Sequence, residues 1–236
     1  DVEKRLIPLL QAENSPYKRF IMRVPGFGSN RNSFNSFIII ALLDDWKNRM
    51  FYAPGTHFEY NDVRVNLMAY SLLHLWRKPL PQVLKEKIMD PIGASSTWRW
   101  FGYDTSWIDL DGHRVQSVSG GGHSGGGLFI NTIDHARFGL LFLNEGVWNG
   151  KQLISKGWIE KATTSSPAQI NYGYMWWLNK KGTNRFWEGV PENVFYAAGF
   201  GGNFIVIVPD EELVIVTRWI EPSQIGSFVK GVLDAL

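Results

Sequence analysis

Pro54-Gly55-Thr56-His57-Phe58-Glu59-Tyr60-Asn61-Asp62 is the stretch whose residue types and spacing can do chemistry. A tyrosine on a turn just before an amphipathic helix sits where the first backbone N–H groups favour negative charge. Tyr60 can there be held near its phenolate form or face a substrate anion. The plainer use of the same residue is packing at a helix start. His57, His74, His113, His123 and His135 show no H-x-x-x-H or H-E-x-x-H spacing, so no metal site is expected. His123 lies in the run Ser119 to Gly127, where flanking glycines let backbone approach a ligand, so it is a candidate for a cleft border. A structural turn accounts for it equally well. His135 is expected to be a satisfied surface or core histidine.

Elements must position these groups. From Asp62 to Lys78, Val65, Met68, Ala69, Leu72, Leu73 and Trp76 recur at helical spacing, with Asp62 as the expected N-cap. Pro81 suits the first turn of a second helix, which turns Val83, Leu84 and Ile88 inward and stops at Asp90-Pro91. A third is expected over 133–145, with Thr132 as cap, Ile133, Ala136, Leu140 and Leu141 on one face, and Gly146 at the stop. A short fourth follows Ser155. Runs 173–178, 194–198, 203–208 and 213–220 are aromatic or β-branched, and Pro209-Asp210-Glu211 separates the last two, which predicts an antiparallel meander. Ile225, Phe228, Val229, Val232, Leu233 and Leu236 form the stripe of a closing amphipathic helix. Residues 1–50 read as an irregular N-terminal segment, except for a short element near 37–47.

With 236 residues, 44% of them hydrophobic, the chain can bury a sizeable core. Its 24 Lys and Arg against 22 Asp and Glu are scattered, so a nucleic-acid partner is not expected. There is no cysteine, which removes disulfides and thiolate chemistry and leaves the compartment open between cytoplasm and periplasm. The longest apolar run, Phe37 to Leu43, is far shorter than the roughly 20 residues a membrane span needs. The start, Asp1-Val2-Glu3-Lys4, lacks the pattern of a signal peptide, as a truncated chain also would. Eleven tryptophans suit either a core or a sugar-binding row. Trp98, Trp100, Trp176, Trp177 and Trp219 sit among apolar neighbours and are expected to fill the core or line a pocket.

The segment from Pro54 to Asp62 resembles the proline-glycine-threonine lead and Y-x-N motif of the serine hydrolases that include class C β-lactamases, D,D-peptidases and related esterases. Asp90-Pro91-Ile92-Gly93, Gly125-Gly126-Gly127-Leu128, Tyr172-Gly173-Tyr174-Met175-Trp176-Trp177 and Tyr196 to Phe204 are similar to later segments of that family, in order, over about 51–236. The resemblance implies a mixed α/β (α+β) fold, an antiparallel sheet flanked by helices with a helical subdomain, and a cleft between the two. The helical part would cover about 51–165, and the C-terminal sheet and helix about 166–236. It also implies an acyl-serine intermediate, Tyr60 as a proton-transfer group, and no cofactor. The substrate would be a small ester, amide or β-lactam-like molecule.

Two positions depart from the family pattern. Asp62 stands where Y-x-N has asparagine, so a carboxylate replaces an amide that can both donate and accept. Ala197-Ala198-Gly199 stands where lactamases have K-T-G, so the ammonium that attracts a substrate carboxylate is absent and an uncharged acyl group fits better. Phe200 resembles the position whose N–H supplies half of the oxyanion hole. Asp62, Ala197, Gly199, Phe200 and His123 are therefore the candidate substrate-binding residues. The family's nucleophile opens a helix as S-x-x-K, and the early match is Ser15-Pro16-Tyr17-Lys18. Ser15 and Lys18 are the candidate nucleophile and base, although Pro16 and Pro25 leave little room for that helix. Ser227-Phe228-Val229-Lys230 reads as helix surface. The alternative reading is a truncated or degenerate, catalytically inactive domain that binds ligands in the same cleft. A sugar-binding module is a third.

Overall fold

The computed structural model describes residues 17–22, 39–43, 53, 55–120 and 126–236, and divides the chain into two units, Asp1–Ala53 and Pro54–Leu236. In the first unit, strand β1 (Tyr17–Met22) pairs antiparallel with β2 (Ile39–Leu43), with a register shift between Tyr17 and Arg19. β2 falls within the short element expected near 37–47, whereas β1 lies where an irregular segment was expected. Tyr17 to Met22 shows no clean apolar alternation, and the pairing partner that makes it a strand is remote in sequence.

The second unit opens with helix α1 (Asp62–Trp76). Its N-cap is Asn61, whose side-chain oxygen accepts from the Arg64 N–H at 3.3 Å, so the expected cap is displaced by one residue and Asp62 becomes the first helical residue. An amide oxygen caps as well as a carboxylate, and Asp62 in the first turn still meets the positive end of the dipole. Only Ala69 and Leu73 of α1 are buried, and Met68 and Trp76 stay exposed, so the buried stripe is narrower than the periodicity suggested. Helix α2 (Leu80–Leu84) carries Pro81 in its first turn as expected and runs on through a π-helical turn, Lys85–Met89. Leu80, with Ala69 and Leu73, packs against the hairpin of β4 (Trp107–Leu110) and β5 (His113–Gln116). A second small ribbon pairs β3 (Arg99–Phe101) with β6 (Gly127–Phe129).

Helix α3 (Thr132–Leu143) is capped by Asn131 rather than Thr132. Its buried face carries Asp134, Gly139, Leu141 and Phe142, while Ile133 and Leu140 are exposed. Gly139 sets that rotation: a Cβ there would come within 2.6 Å of Val214 and 2.8 Å of Ile205, so only glycine lets the helix lie so close to the sheet. The short hairpin of β7 (Val147–Trp148) and β8 (Lys151–Gln152) leads to α4 (Lys156–Ala162), capped by Ser155 as expected.

The main sheet has the order β12-β11-β10-β9, from β9 (Trp177–Leu178), β10 (Phe195–Gly199), β11 (Asn203–Val208) and β12 (Leu213–Thr217). This is the expected antiparallel meander with its turn at Pro209–Glu211. The first strand is shorter than anticipated, because Gly173 bonds Trp176, Tyr174 bonds Ala162, and Met175 takes φ +67°. Alternation along β11 sends Phe204, Val206 and Val208 to one face, against the closing helix α5 (Ile225–Leu233) with Ile225 and Val229 buried. It sends Ile205 and Ile207 to the other, against Phe142, Ile159 and Ala162 of α3 and α4. Each fully buried Val or Ile of this kind is worth about 1.5–3 kcal/mol. The fold is thus mixed α/β, with helices on both faces of an antiparallel sheet. No helix of the described residues is long and apolar enough to cross a membrane.

Candidate functional site

The turn before α1 delivers Tyr60 to the end of the main sheet. Its ring stacks on Trp177, with centroids 5.9 Å apart and planes 24° from parallel, and meets Tyr172 edge-on at 6.3 Å. Phe58 closes the group, 5.0 Å from Tyr172 and 6.3 Å from Trp177. Tyr172 and Trp177 also touch, at 4.6 Å. The Tyr172 hydroxyl faces the Met175 sulfur at 3.6 Å, and burial, reinforced by Tyr60, pushes its pKa up to about 12. Tyr60 itself is half exposed. Partial burial and the Asp62 carboxylate raise its pKa, against the opposing pull of Arg185, so at neutral pH the group offered is a phenol able to donate a proton. The helix terminus therefore does not carry Tyr60 to its phenolate.

Trp177 is also the cross-strand partner of Tyr196, so the tyrosine turn and strand β10 are joined through one ring. β9 pairs only with Phe195 and Tyr196, and among the described residues no strand covers that edge of β10 beyond Tyr196. The Asn179 N–H bonds the Val194 carbonyl on that side. Antiparallel alternation then turns the N–H and C=O of Tyr196 and Ala198 to the same edge, away from β11. Gly199 pairs with Asn203, and Phe200, 81% exposed, stands at the strand end on a tight turn. The Phe200 carbonyl accepts from Asn203 Nδ2 at 2.7 Å. Gly201 and Gly202 take φ +77° and +75°, and the Ile220 backbone fills the space a Cβ on Gly202 would need.

Trp219 follows at φ +59° and is 80% exposed, so of its two expected places, core or pocket lining, the core is excluded; Trp98, Trp176 and Trp177 are buried as expected. Beside this turn, Arg218 donates to Asn203 Oδ1 at 3.3 Å and to the Ile130 carbonyl at 2.9 Å. Burial and the nearby Arg218 hold the His135 pKa down at about 4, and its buried Nδ1 has no partner. His135 is thus a part-buried histidine whose Nδ1 is left unsatisfied, where a satisfied one was expected. Next to it, burial would raise the Asp134 carboxyl, but hydrogen bonds from Ser95, Arg137 and Asn131 together hold it below its usual value.

The structure brings Tyr60, Asp62 and, through Trp177, the strand carrying Ala197, Gly199 and Phe200 into one region. The glycine run approaches the same helix: Gly120 donates to Asn66 Oδ1 on α1 at 2.9 Å, and a Cβ on it would collide with Val65. His123 lies outside the described residues, as does Ser15. Lys18 is in β1, where the extended backbone does not provide the helical turn of an S-x-x-K pair.

Sequence reasoning did not single out Arg185. Its guanidinium lies 4.0 Å over the Trp177 ring, beside the Tyr196 hydroxyl. Nothing in the polar run Asn179 to Arg185 marks it, since its partners come from two strands.

A family model described as Beta-lactamase matches residues 42–217. The chain is 31% identical over 142 residues to an uncharacterized protein of Alkalihalophilus pseudofirmus, covering 56% of this chain and 38% of that one. It is 26% identical over 196 residues to a proposed D-alanyl-D-alanine carboxypeptidase of Escherichia coli K12, covering 70% of this chain and 45% of that protein. The chain spans less than half the length of these curated relatives. A proposed 6-aminohexanoate-dimer hydrolase from Bacillus anthracis superposes with TM-score 0.55 at 21% identity, covering 79% of this chain and 46% of the other. A beta-lactamase from Mycobacterium bovis does so with TM-score 0.54 at 18% identity, covering 78% and 65%. At these identities the likeness is one of fold.

Proposed function

The chain belongs to the beta-lactamase family, and from that premise we propose that its site carries out serine-based acyl transfer with esterase or amidase chemistry on a small acyl substrate. The observation that carries this reading is the Tyr60–Trp177 stack, which ties the tyrosine turn to strand β10 and hence to the turn at Phe200. In the proposed reaction a serine hydroxyl adds to the substrate carbonyl, and the Phe200 N–H, at the strand end, holds the developing oxyanion. Tyr60, favoured as the phenol, gives its proton to the leaving alcohol or amine and takes up the proton that the serine hydroxyl loses, so the phenol is restored as the acyl-serine forms. Water then adds to the acyl-serine, and the acid leaves with the serine regenerated. Asp62 in place of an amide donor weakens recognition of a β-lactam amide, so esters are the better substrates.

The test is intact mass after incubation with a fluorophosphonate, with turnover of p-nitrophenyl butyrate and nitrocefin measured alongside. A covalent adduct establishes an activated serine and peptide mapping names it. The expected result is an adduct with weak ester turnover that exceeds nitrocefin turnover. Faster nitrocefin turnover sinks the esterase preference. Complete absence of an adduct leaves the second reading, a binding domain without a nucleophile, which the extended Lys18 in β1 favours.

A further inference from the structure

The position where lactamases carry the lysine of K-T-G is Ala197 here, and its methyl group offers a substrate no charge. A cation nevertheless borders the site. Arg185 and Tyr60 both lie on the Trp177 ring, at 4.0 and 5.9 Å from its centroid, so guanidinium and phenol stand within a short acyl chain of one another. Among the described residues Arg185 forms no ion pair, and its side chain is exposed.

The loop that carries Arg185 is held in place from below. Asn179 is fully buried; its amide donates to the carbonyls of Val190 and Pro191, both at 3.0 Å, and its oxygen accepts from the Trp187 N–H at 2.8 Å. Trp187, two residues beyond Arg185, stacks on Tyr196 at 4.3 Å and packs so closely on α5 that a Cβ on Gly226 would come within 2.8 Å of its ring. The guanidinium over Trp177 gives one hydrogen bond to the Tyr196 hydroxyl, and its five N–H donors leave others for a planar acceptor.

We propose that Arg185 is the specificity-determining residue of this site and binds the carboxylate of an anionic acyl substrate, an ester or amide whose acyl chain ends in a second, free carboxylate. Resting on the acyl-transfer reading, the assignment names its substrate class and replaces the expectation of an uncharged acyl group. The two charges flanking Tyr60 orient such a molecule. Asp62, in the first turn of α1, repels the carboxylate, and Arg185 holds it by donating two parallel hydrogen bonds. The Coulomb pull of the same guanidinium on Tyr60 supports the placement.

The experiment measures equilibrium binding, which requires no nucleophile. Adipic acid mono-anilide and its methyl ester, which differ only in the charge at the far end, are titrated calorimetrically into the full chain. The fluorophosphonate adduct is scored separately. The anion is expected to bind about tenfold tighter than the ester, with the preference shrinking as salt is raised. Arg185→Gln is expected to bind the two alike, and Arg185→Lys to keep part of the preference, since a point charge cannot reproduce the planar fork. Near-ultraviolet circular dichroism of Arg185→Gln checks that the aromatic group is intact. Equal binding by the unmodified chain, no binding of either compound, or a preference that survives in a folded Arg185→Gln overturns the assignment. A preference without a fluorophosphonate adduct leaves the assignment standing and fells the hydrolase reading; an adduct without a preference does the reverse.

Discussion

The Tyr60 ring lies on that of Trp177, 5.9 Å between centroids and 24° from parallel, and this single contact connects the turn before α1 to the main sheet. Trp177 is 8% exposed and belongs to the core under α5, so a half-exposed tyrosine borrows the rigidity of a buried ring. That rigidity is what a proton-transfer group needs, because its reach to a reacting atom is set by a fraction of an ångström.

Two substitutions beside Tyr60 should move its titration in opposite directions. Asp62→Asn removes a negative charge that disfavours the phenolate, so the Tyr60 pKa falls; Arg185→Gln removes a positive charge that favours it, so the pKa rises. Ultraviolet difference titration of the phenolate, with Tyr60→Phe identifying the transition, checks both signs. In ester hydrolysis Tyr60→Phe should lower kcat by roughly 10²–10⁴-fold with little change in KM. An unchanged kcat in the folded variant removes Tyr60 from the mechanism.

Asn179→Ala should destabilise the protein by about 2–3 kcal/mol, because two carbonyls and one N–H lose their partner inside the protein. Urea unfolding reads this as a lower midpoint at unchanged slope. The loop carrying Arg185 would loosen with it, so the cation–π contact on Trp177 should weaken and the tryptophan emission of the folded variant shift.

Stability should fall as pH drops from about 6.5 towards 4, and His135 is the cause. Its pKa is near 6.5 in the unfolded chain and about 4 in the folded one, so between these values the unfolded state binds the extra proton and acidification favours it. The full effect is on the order of 3 kcal/mol. His135→Phe should flatten the profile over that window when unfolding is followed at several pH values. Asp134, whose folded pKa is lowered, adds stability that is present above its ordinary value and lost only at more acidic pH. Its contribution therefore remains in His135→Phe.

Ser15→Ala should leave the yield of fluorophosphonate adduct unchanged. Lys18 sits in the extended strand β1 at its register shift, so it is not presented one helical turn beyond a serine as a base must be. Loss of the adduct in Ser15→Ala, mapped to that residue in the parent chain, would make Ser15 the nucleophile after all.

What the sequence determined by itself is the local structure and its order. Alternation in Asn203 to Val208, the breaker at Pro209, the helix from Ile225 and the cap at Ser155 each depend on neighbours within a few residues, and each appears where its pattern put it, although of the closing stripe only Ile225 and Val229 are buried and Phe228 and Leu236 are exposed. Tyr60 and the turn at Phe200 were legible for the same reason, since a helix start and a glycine-bounded strand end are local signals.

Tertiary packing decided the rest. Which side of α3 faces inward was set by the close approach at Gly139 and not by the stripe through Ile133 and Leu140, whose burial needs a partner that periodicity cannot supply. The exposure of Trp219 was set by a left-handed backbone beside two glycines, where its apolar neighbours in sequence left core and pocket lining both open. Arg185 became part of the site only because β9 and β10 carry Trp177 and Tyr196 to it, and a charged residue in a polar loop carries no mark of the rings it will lie on. Cross-strand pairing and ring stacking are contacts between residues remote in sequence, and the energy that selects them exists only once the chain has closed around the sheet.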